Sequence, residues 1–110
     1  MSAAALRSEV LGLPFRNPLV LAAGTAAYGR ELDDVMDLGV LGGLVTKAVS
    51  PEERAGAPAP RVADFDGGMI NAIGLANPGL TGVLATELPW LAAHRGALRV
   101  FVNVVGKVLE

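Results

Sequence analysis

Lys47 closes the apolar run Leu44-Val45-Thr46. A lysine at the end of a buried strand can hold its ammonium against a bound anion or an electron-rich ring, or it can simply snorkel to solvent. Asn103 interrupts a second apolar run, Val100-Phe101-Val102-Asn103-Val104-Val105. A buried amide with unmade hydrogen bonds costs about 1–3 kcal/mol, so neighbouring backbone or a ligand must satisfy it. The third group is Asn71-Ala72-Ile73-Gly74-Leu75-Ala76-Asn77-Pro78-Gly79. An asparagine side chain presents a donor beside an acceptor, which matches an amide or imide edge of a small planar ligand. Asparagine and glycine also build ordinary turns, and the composition of this segment alone leaves both readings open.

Other chemistry is poorly served. The chain has no cysteine, which excludes disulfides, zinc ribbons and thiol nucleophiles within it, and no cluster of metal-ligating residues stands out. His94 reads as a solvated side chain near a helix C-terminus, where the dipole favours it. Trp90 and Phe101 read as core. Gly39-Val40-Leu41-Gly42-Gly43 lacks the spacing of a dinucleotide-binding loop, and it precedes a strand instead of following one.

These residues need strands and helices to position them. Residues 10–13, a turn at Pro14, and residues 18–23 form two extended runs, the second apolar without alternation as in a strand covered on both faces. Residues 30–38 place Leu32, Val35 and Met36 at amphipathic helical spacing, with Glu31, Asp33 and Asp34 where the helix dipole favours acid and Gly39 as the stop. Residues 41–46 form the next strand. Pro51, Gly56, Pro58 and Pro60 mark a loop, and residues 61–75 form an excursion with a hairpin turn at Asp66-Gly67-Gly68. Asn77 and Pro78 suit an N-cap and a first helical position. Leu80, Val83, Leu84, Leu88 and Leu91 supply the stripe of that helix, and Pro89 should kink or split it near Glu87. Residues 100–105 form a third buried-type strand, and residues 107–110 could open a further helix. Strand, helix, strand, excursion, helix, strand implies parallel strands joined by crossovers. In such folds chemistry gathers at strand ends, here Gly24-Thr25, Thr46-Lys47-Ala48, and Asn103 with Gly106.

Composition sets the outer bounds. With 52% hydrophobic residues in 110, the chain is rich in apolar surface for a small free-standing domain and suits a segment buried within a larger fold. Lys+Arg number 9 against Asp+Glu 11, with no basic patch to suggest nucleic acid. Residues 67–86 approach membrane-spanning length, but Asn71, Asn77, Pro78 and the interspersed glycines would be poorly tolerated in hydrocarbon. The first ten residues lack the pattern of a signal peptide. A cytoplasmic protein that does not enter membranes is expected.

Several stretches, in collinear order along nearly the whole chain, resemble the dihydroorotate dehydrogenase family. They are Asn17-Pro18-Leu19-Val20-Leu21-Ala22-Ala23-Gly24-Thr25, Tyr28-Gly29-Arg30-Glu31, Val45-Thr46-Lys47, Pro58-Ala59-Pro60-Arg61-Val62-Ala63, residues 67–79, and Val102-Asn103-Val104-Val105-Gly106. The resemblance implies that residues 1–110 are the N-terminal part of one FMN-binding (β/α)8 barrel domain. That part would hold about three βα units, with a short extended segment before them and a hairpin excursion after the second barrel strand. It implies oxidation of (S)-dihydroorotate to orotate in pyrimidine biosynthesis, with FMN as hydride acceptor.

By this resemblance Ala23, Gly24, Thr25, Lys47, Ala48 and Asn103 contact FMN, Lys47 being the cation beside the electron-rich edge of the flavin and touching substrate as well. Asn71, Ala72, Ile73, Gly74 and Leu75 hold orotate, with close backbone approach at Gly74. The details are most similar to the class 1B branch, in which an FAD and iron–sulfur subunit passes electrons to NAD, and a homo-oligomer is expected. The class 1 base is a cysteine beyond the third strand, so no catalytic base is expected in this chain, and the chain alone is expected to be inactive. The alternatives are a related flavin barrel of the dihydropyrimidine dehydrogenase type and a non-catalytic barrel fragment.

Overall fold

A computed structural model of the chain describes residues 6–106; the helix expected at 107–110 lies outside them. Strands β1 (Ser8–Val10) and β2 (Leu13–Phe15) pair antiparallel. Their turn is Leu11-Gly12, both residues left-handed at φ 53° and 73°, the conformation that matches the twist of a tight hairpin. Pro14 therefore lies inside β2 and not in a turn. Its ring tolerates an edge strand, where no ladder partner needs its missing N–H.

The central sheet contains β3 (Val20–Leu21), β4 (Gly43–Val45) and β7 (Arg99–Phe101) in the order β3-β4-β7. Both pairings are parallel, with Leu21 opposite Leu44 and Leu44 opposite Val100. All three strands are shorter than the apolar runs that contain them. Leu21, Leu44 and Val100 point to one face, into a core of Ala26, Leu38, Leu41, Leu91 and Leu98, with Leu32, Met36 and Trp90 packed against it. The strand of residues 18–23 is not covered on both faces as expected: Leu19 is 62% exposed and Val20 43%. The uncovered face forms an open apolar groove of about 400 Å³ lined by Val10, Phe15, Pro18, Val20, Val45 and Phe101. Phe101 is thus not core; it stacks on Phe15 with ring centroids 6.1 Å apart.

The helix expected over residues 30–38 is much shorter. Helix α1 spans Arg30–Asp33, and a 3-10 turn spans Leu38–Val40. Asp37 accepts the Gly39 N–H at 2.7 Å, so an acidic side chain that competes with helix backbone caps a new turn instead. Gly39 sits within that turn and does not stop α1, and Val35 is exposed where the amphipathic pattern had placed it inward.

The excursion forms the antiparallel hairpin β5 (Val62–Phe65) and β6 (Gly68–Asn71), with Asp66-Gly67 as the turn. A single helical run then covers α2 (Gly79–Gly82), a π-helical turn (Val83–Glu87) and α3 (Leu88–His94). Pro89 cannot donate to the carbonyl four residues back. The backbone widens ahead of it into the π turn, so the helix is neither broken nor restarted. Val83 and Leu91 are buried, whereas Leu80 and Leu84 face solvent, so the stripe is narrower than its spacing suggests. Trp90 and His94 stack at 4.3 Å, with the Arg30 guanidinium 4.9 Å over the indole and 3.6 Å from Glu87. No described helix is long and apolar enough to cross a membrane.

Gly42 sets how closely the entry to β3 meets β4. Its N–H donates to Leu19 O at 3.0 Å and its carbonyl accepts from Arg99 N at 3.0 Å. A Cβ there would lie 2.0 Å from the Asn17 carbonyl oxygen. Asn17 cannot retreat easily, because its amide donates to Val40 O at 2.7 Å and accepts from Leu19 N at 3.0 Å. Gly42→Ala is expected to destabilise the fold by about 3 kcal/mol, the upper end for overpacking. Denaturant midpoints of the full-length protein check this; an unchanged midpoint would show that the contact is soft.

Candidate functional site at the strand ends

The parallel sheet carries the C-terminal ends of β3, β4 and β7 to one edge, and the strand-end candidates lie along it. After β3, Ala23, Gly24 and Thr25 form an exposed turn in which the Thr25 hydroxyl donates to Ala22 O at 2.6 Å. The Ala27 carbonyl accepts the Lys47 N–H at 2.8 Å, which ties this loop to the end of β4. Ala27 is left-handed at φ 45°, a strained conformation for a residue with a Cβ.

Beyond β4 the ladder to β7 continues out of step. Val45 pairs with Phe101 and Val49 bridges to Val104, so residues 46, 47 and 48 lie opposite 102 and 103 alone. This is a bulge, a device that re-aims side chains. Asn103 N–H donates to Thr46 Oγ1 at 3.1 Å, and Asn103 O accepts from Val49 N at 2.9 Å. The bulge thus brings Lys47, Ala48 and Asn103 together. Ala48 is buried and Lys47 and Asn103 are half-buried. Among the described residues neither the Lys47 ammonium nor the Asn103 side-chain amide has a hydrogen-bond or ion-pair partner. The interruption of the apolar strand is therefore satisfied at its backbone and left open at its side chain.

The segment 71–75 is placed differently. Asn71 closes β6 opposite Val62 and is exposed. Ala72 N–H donates to Arg61 O at 2.8 Å, and Ile73 O accepts from Ala57 N at 3.0 Å. These bonds all belong to the excursion. Gly74, at φ 76°, leaves a Cβ position only 2.5 Å from Ala57 N, so the loop backbone already requires glycine there. Leu75 is left-handed at φ 55°, and its carbonyl accepts from Asn77 Nδ2 at 2.6 Å.

Asn77 then joins the excursion to the strand ends. Its Oδ1 accepts from Ser50 N at 3.2 Å and Gly79 N at 2.9 Å, and its Nδ2 donates to Ser50 Oγ at 2.9 Å. Backbone bonds between Asn77 and Arg54, at 2.9 and 3.0 Å, complete the lock. The helix starts one residue later than expected: Pro78 is the N-cap and Gly79 the first helical residue. Asn77, one position before the cap, accepts only the Gly79 N–H from the helix. No hydrogen bond links Asn71, Ala72 or Ile73 to Lys47 among the described residues.

Local sequence reasoning placed Thr46 at a strand end without a part of its own, and passed over Ser50 and Ala27. A small polar residue just past a strand and another at the far end of the excursion were the signal available for Ser50 and Asn77. Behind this edge, Tyr28 packs with Val49 and Val83, with Ala27 and Leu88 alongside. Its hydroxyl is buried without a partner among the described residues. Burial pushes its pKa up and the Glu87 carboxylate adds to this, so the phenol stays neutral.

The family model for dihydroorotate dehydrogenase matches residues 5–110. Dihydroorotate dehydrogenase A (fumarate) of Lactiplantibacillus plantarum is 46% identical over 101 residues, 92% of this chain and 33% of that protein. The catalytic subunit of dihydroorotate dehydrogenase B (NAD(+)) of Bacillus pumilus is 52% identical over 105 residues, 96% of this chain and 33% of that one. A crystal structure of DHODH in complex with ferulenol from Eimeria tenella superposes with a TM-score of 0.70 at 22% identity, over 97% of this chain and 31% of that one; at that identity it supports the fold. The chain spans about a third of the length of the curated relatives it matches.

Proposed function

Because the chain belongs to the dihydroorotate dehydrogenase family, we propose that it forms one side of the site at which a longer enzyme oxidises dihydroorotate to orotate in pyrimidine synthesis. Its three parallel strands are read as the first strands of a (β/α)8 barrel, whose chemistry gathers at the C-terminal strand ends. The observation that carries the proposal is the placement of Lys47 and Asn103 on the two sides of the bulge, both bonded through their peptides to the Thr46 hydroxyl. They are a cation and an amide whose side chains have no partners among the described residues. That donor set fits the electron-rich, hydrogen-bonding edge of a flavin. When bound, FMN supplies the hydride acceptor.

The chain's own residues have separable roles. Lys47 places a fixed positive charge where negative charge develops, the arrangement that lowers a barrier when the charge is preorganised. Asn103 offers a hydrogen bond from the third parallel strand, and the turn at Ala23, Gly24 and Thr25 together with Ala48 lines the near side. Asn71, Ala72, Ile73, Gly74 and Leu75 receive orotate, with the exposed Asn71 amide matching its imide edge and the Asn77–Ser50 lock holding the segment's base. The chain has no cysteine, so the class 1 base is assigned to a residue outside these 110. Identity does not separate the two branches, since NAD(+)-linked catalytic subunits are 46–52% identical to this chain and the fumarate-linked enzyme 46%. The reading of an FAD and iron–sulfur partner subunit as electron acceptor rests on the class 1B resemblance of the motifs.

The test is anaerobic titration of the full-length protein. Bleaching of its flavin by dihydroorotate is expected, with little response to dihydrouracil. The reverse preference would favour the dihydropyrimidine dehydrogenase reading and overturn this one.

A further inference from the structure

We infer that Thr46 is a positioning residue whose hydroxyl sets where Lys47 and Asn103 point; this rests on the flavin-facing roles proposed for those two. Thr46 is 0% exposed and is the first residue of the bulge. Its hydroxyl donates to Lys47 O at 3.0 Å and accepts the Asn103 N–H at 3.1 Å. One oxygen therefore bonds the peptide groups of both residues across two strands. The Thr46 N–H is itself anchored on Phe101 O at 2.9 Å, and the Lys47 N–H on Ala27 O at 2.8 Å. The Lys47 residue is thus held by its N–H from the β3 loop and by its carbonyl from Thr46, which leaves its Cα–Cβ direction little freedom.

Valine at this position keeps the buried shape and removes the shared hydroxyl. The half-buried Asn103 N–H and Lys47 C=O would then each lack a protein partner, and backbone groups withdrawn from water seek a new one. The peptides would rotate to find other partners, and the ammonium and amide would move with them. Nothing in the apolar packing would correct this, because the bulge already puts the two strands out of step.

The experiment compares Thr46→Val, Thr46→Ala and Thr46→Ser in the full-length protein, with Lys47→Ala as the reference. In flavin-free protein, the Asn103 amide should exchange with solvent at least tenfold faster in Val and Ala than in wild type, with Ser unchanged. In flavin-loaded protein, Val and Ala should weaken the preference for reduced flavin about tenfold, a drop of about 30 mV for a two-electron couple, and slow reduction by dihydroorotate with little change in KM. Ser should hold both within about twofold. A purely structural role would lower thermal stability without moving the potential. Should Val fail to fold, Ala against Ser decides. Equal potentials in those two, or a wild-type potential in folded Val, would overturn the inference. If Lys47→Ala itself leaves potential and rate unchanged, the flavin-facing reading fails, and Thr46 is then only a strand-joining residue.

Discussion

Lys47→Ala is expected to slow reduction of the bound flavin by dihydroorotate about 100- to 1,000-fold in the full-length protein, with substrate affinity changed far less. Removing one preorganised partner of developing charge commonly costs about 2.7–4 kcal/mol, and Lys47 is well suited to be such a partner. Its residue is held by Ala27 on one side and Thr46 on the other. Its ammonium is not engaged by any carboxylate among the described residues, so its charge is not neutralised before a ligand arrives. Lys47→Arg should recover only part of the rate, since a planar guanidinium reaches further and presents its donors differently. Stopped-flow reduction at wild-type speed in Lys47→Ala would remove the central element of the proposed site.

The second large effect concerns the 110-residue chain expressed by itself. It is expected to hold FMN weakly or not at all, to leave dihydroorotate unoxidised, and to associate. The sheet of described residues has β3 and β7 as open edges, and unpaired strand edges invite pairing with other chains. Beside them lies the groove of Val20, Val45 and Phe101, apolar surface that a barrel would fill with side chains from its other strands. The hairpin β5–β6 adds exposed Phe65, Met69 and Ile70. Light scattering beside an anaerobic FMN and dihydroorotate titration tests this. A monodisperse monomer with stoichiometric FMN and substrate-dependent bleaching would show that these strands form a complete site alone.

Much of this protein was legible in its residues alone. Unalternating apolar runs around Val20, Leu44 and Val100 announced parallel strands, because a strand flanked by helices must be apolar at successive positions. Asp66-Gly67 between extended runs announced the hairpin, since that dipeptide suits a two-residue turn. The collinear motifs announced the family, which the match over residues 5–110 establishes. The same patterns overstated each element. Leu19 and Val20 are apolar but uncovered, since composition records what a residue can bury and not what lies against it. Helix α1 ended early because Asp37 bonded Gly39, a local competition that periodicity does not register.

The site itself was decided at longer range. The Thr46 hydroxyl meets Asn103 across 57 residues of sequence, and Asn77 meets Ser50 across 27. Each contact depends on strand register, and a slip of one residue would turn the side chains to the opposite face. Residue type therefore determined which groups could do the chemistry. Only the tertiary pairing of β4 with β7, continued past the strand ends through the bulge at Thr46, decided that Lys47 and Asn103 meet at one edge of the sheet, each bonded through its peptide to the same hydroxyl.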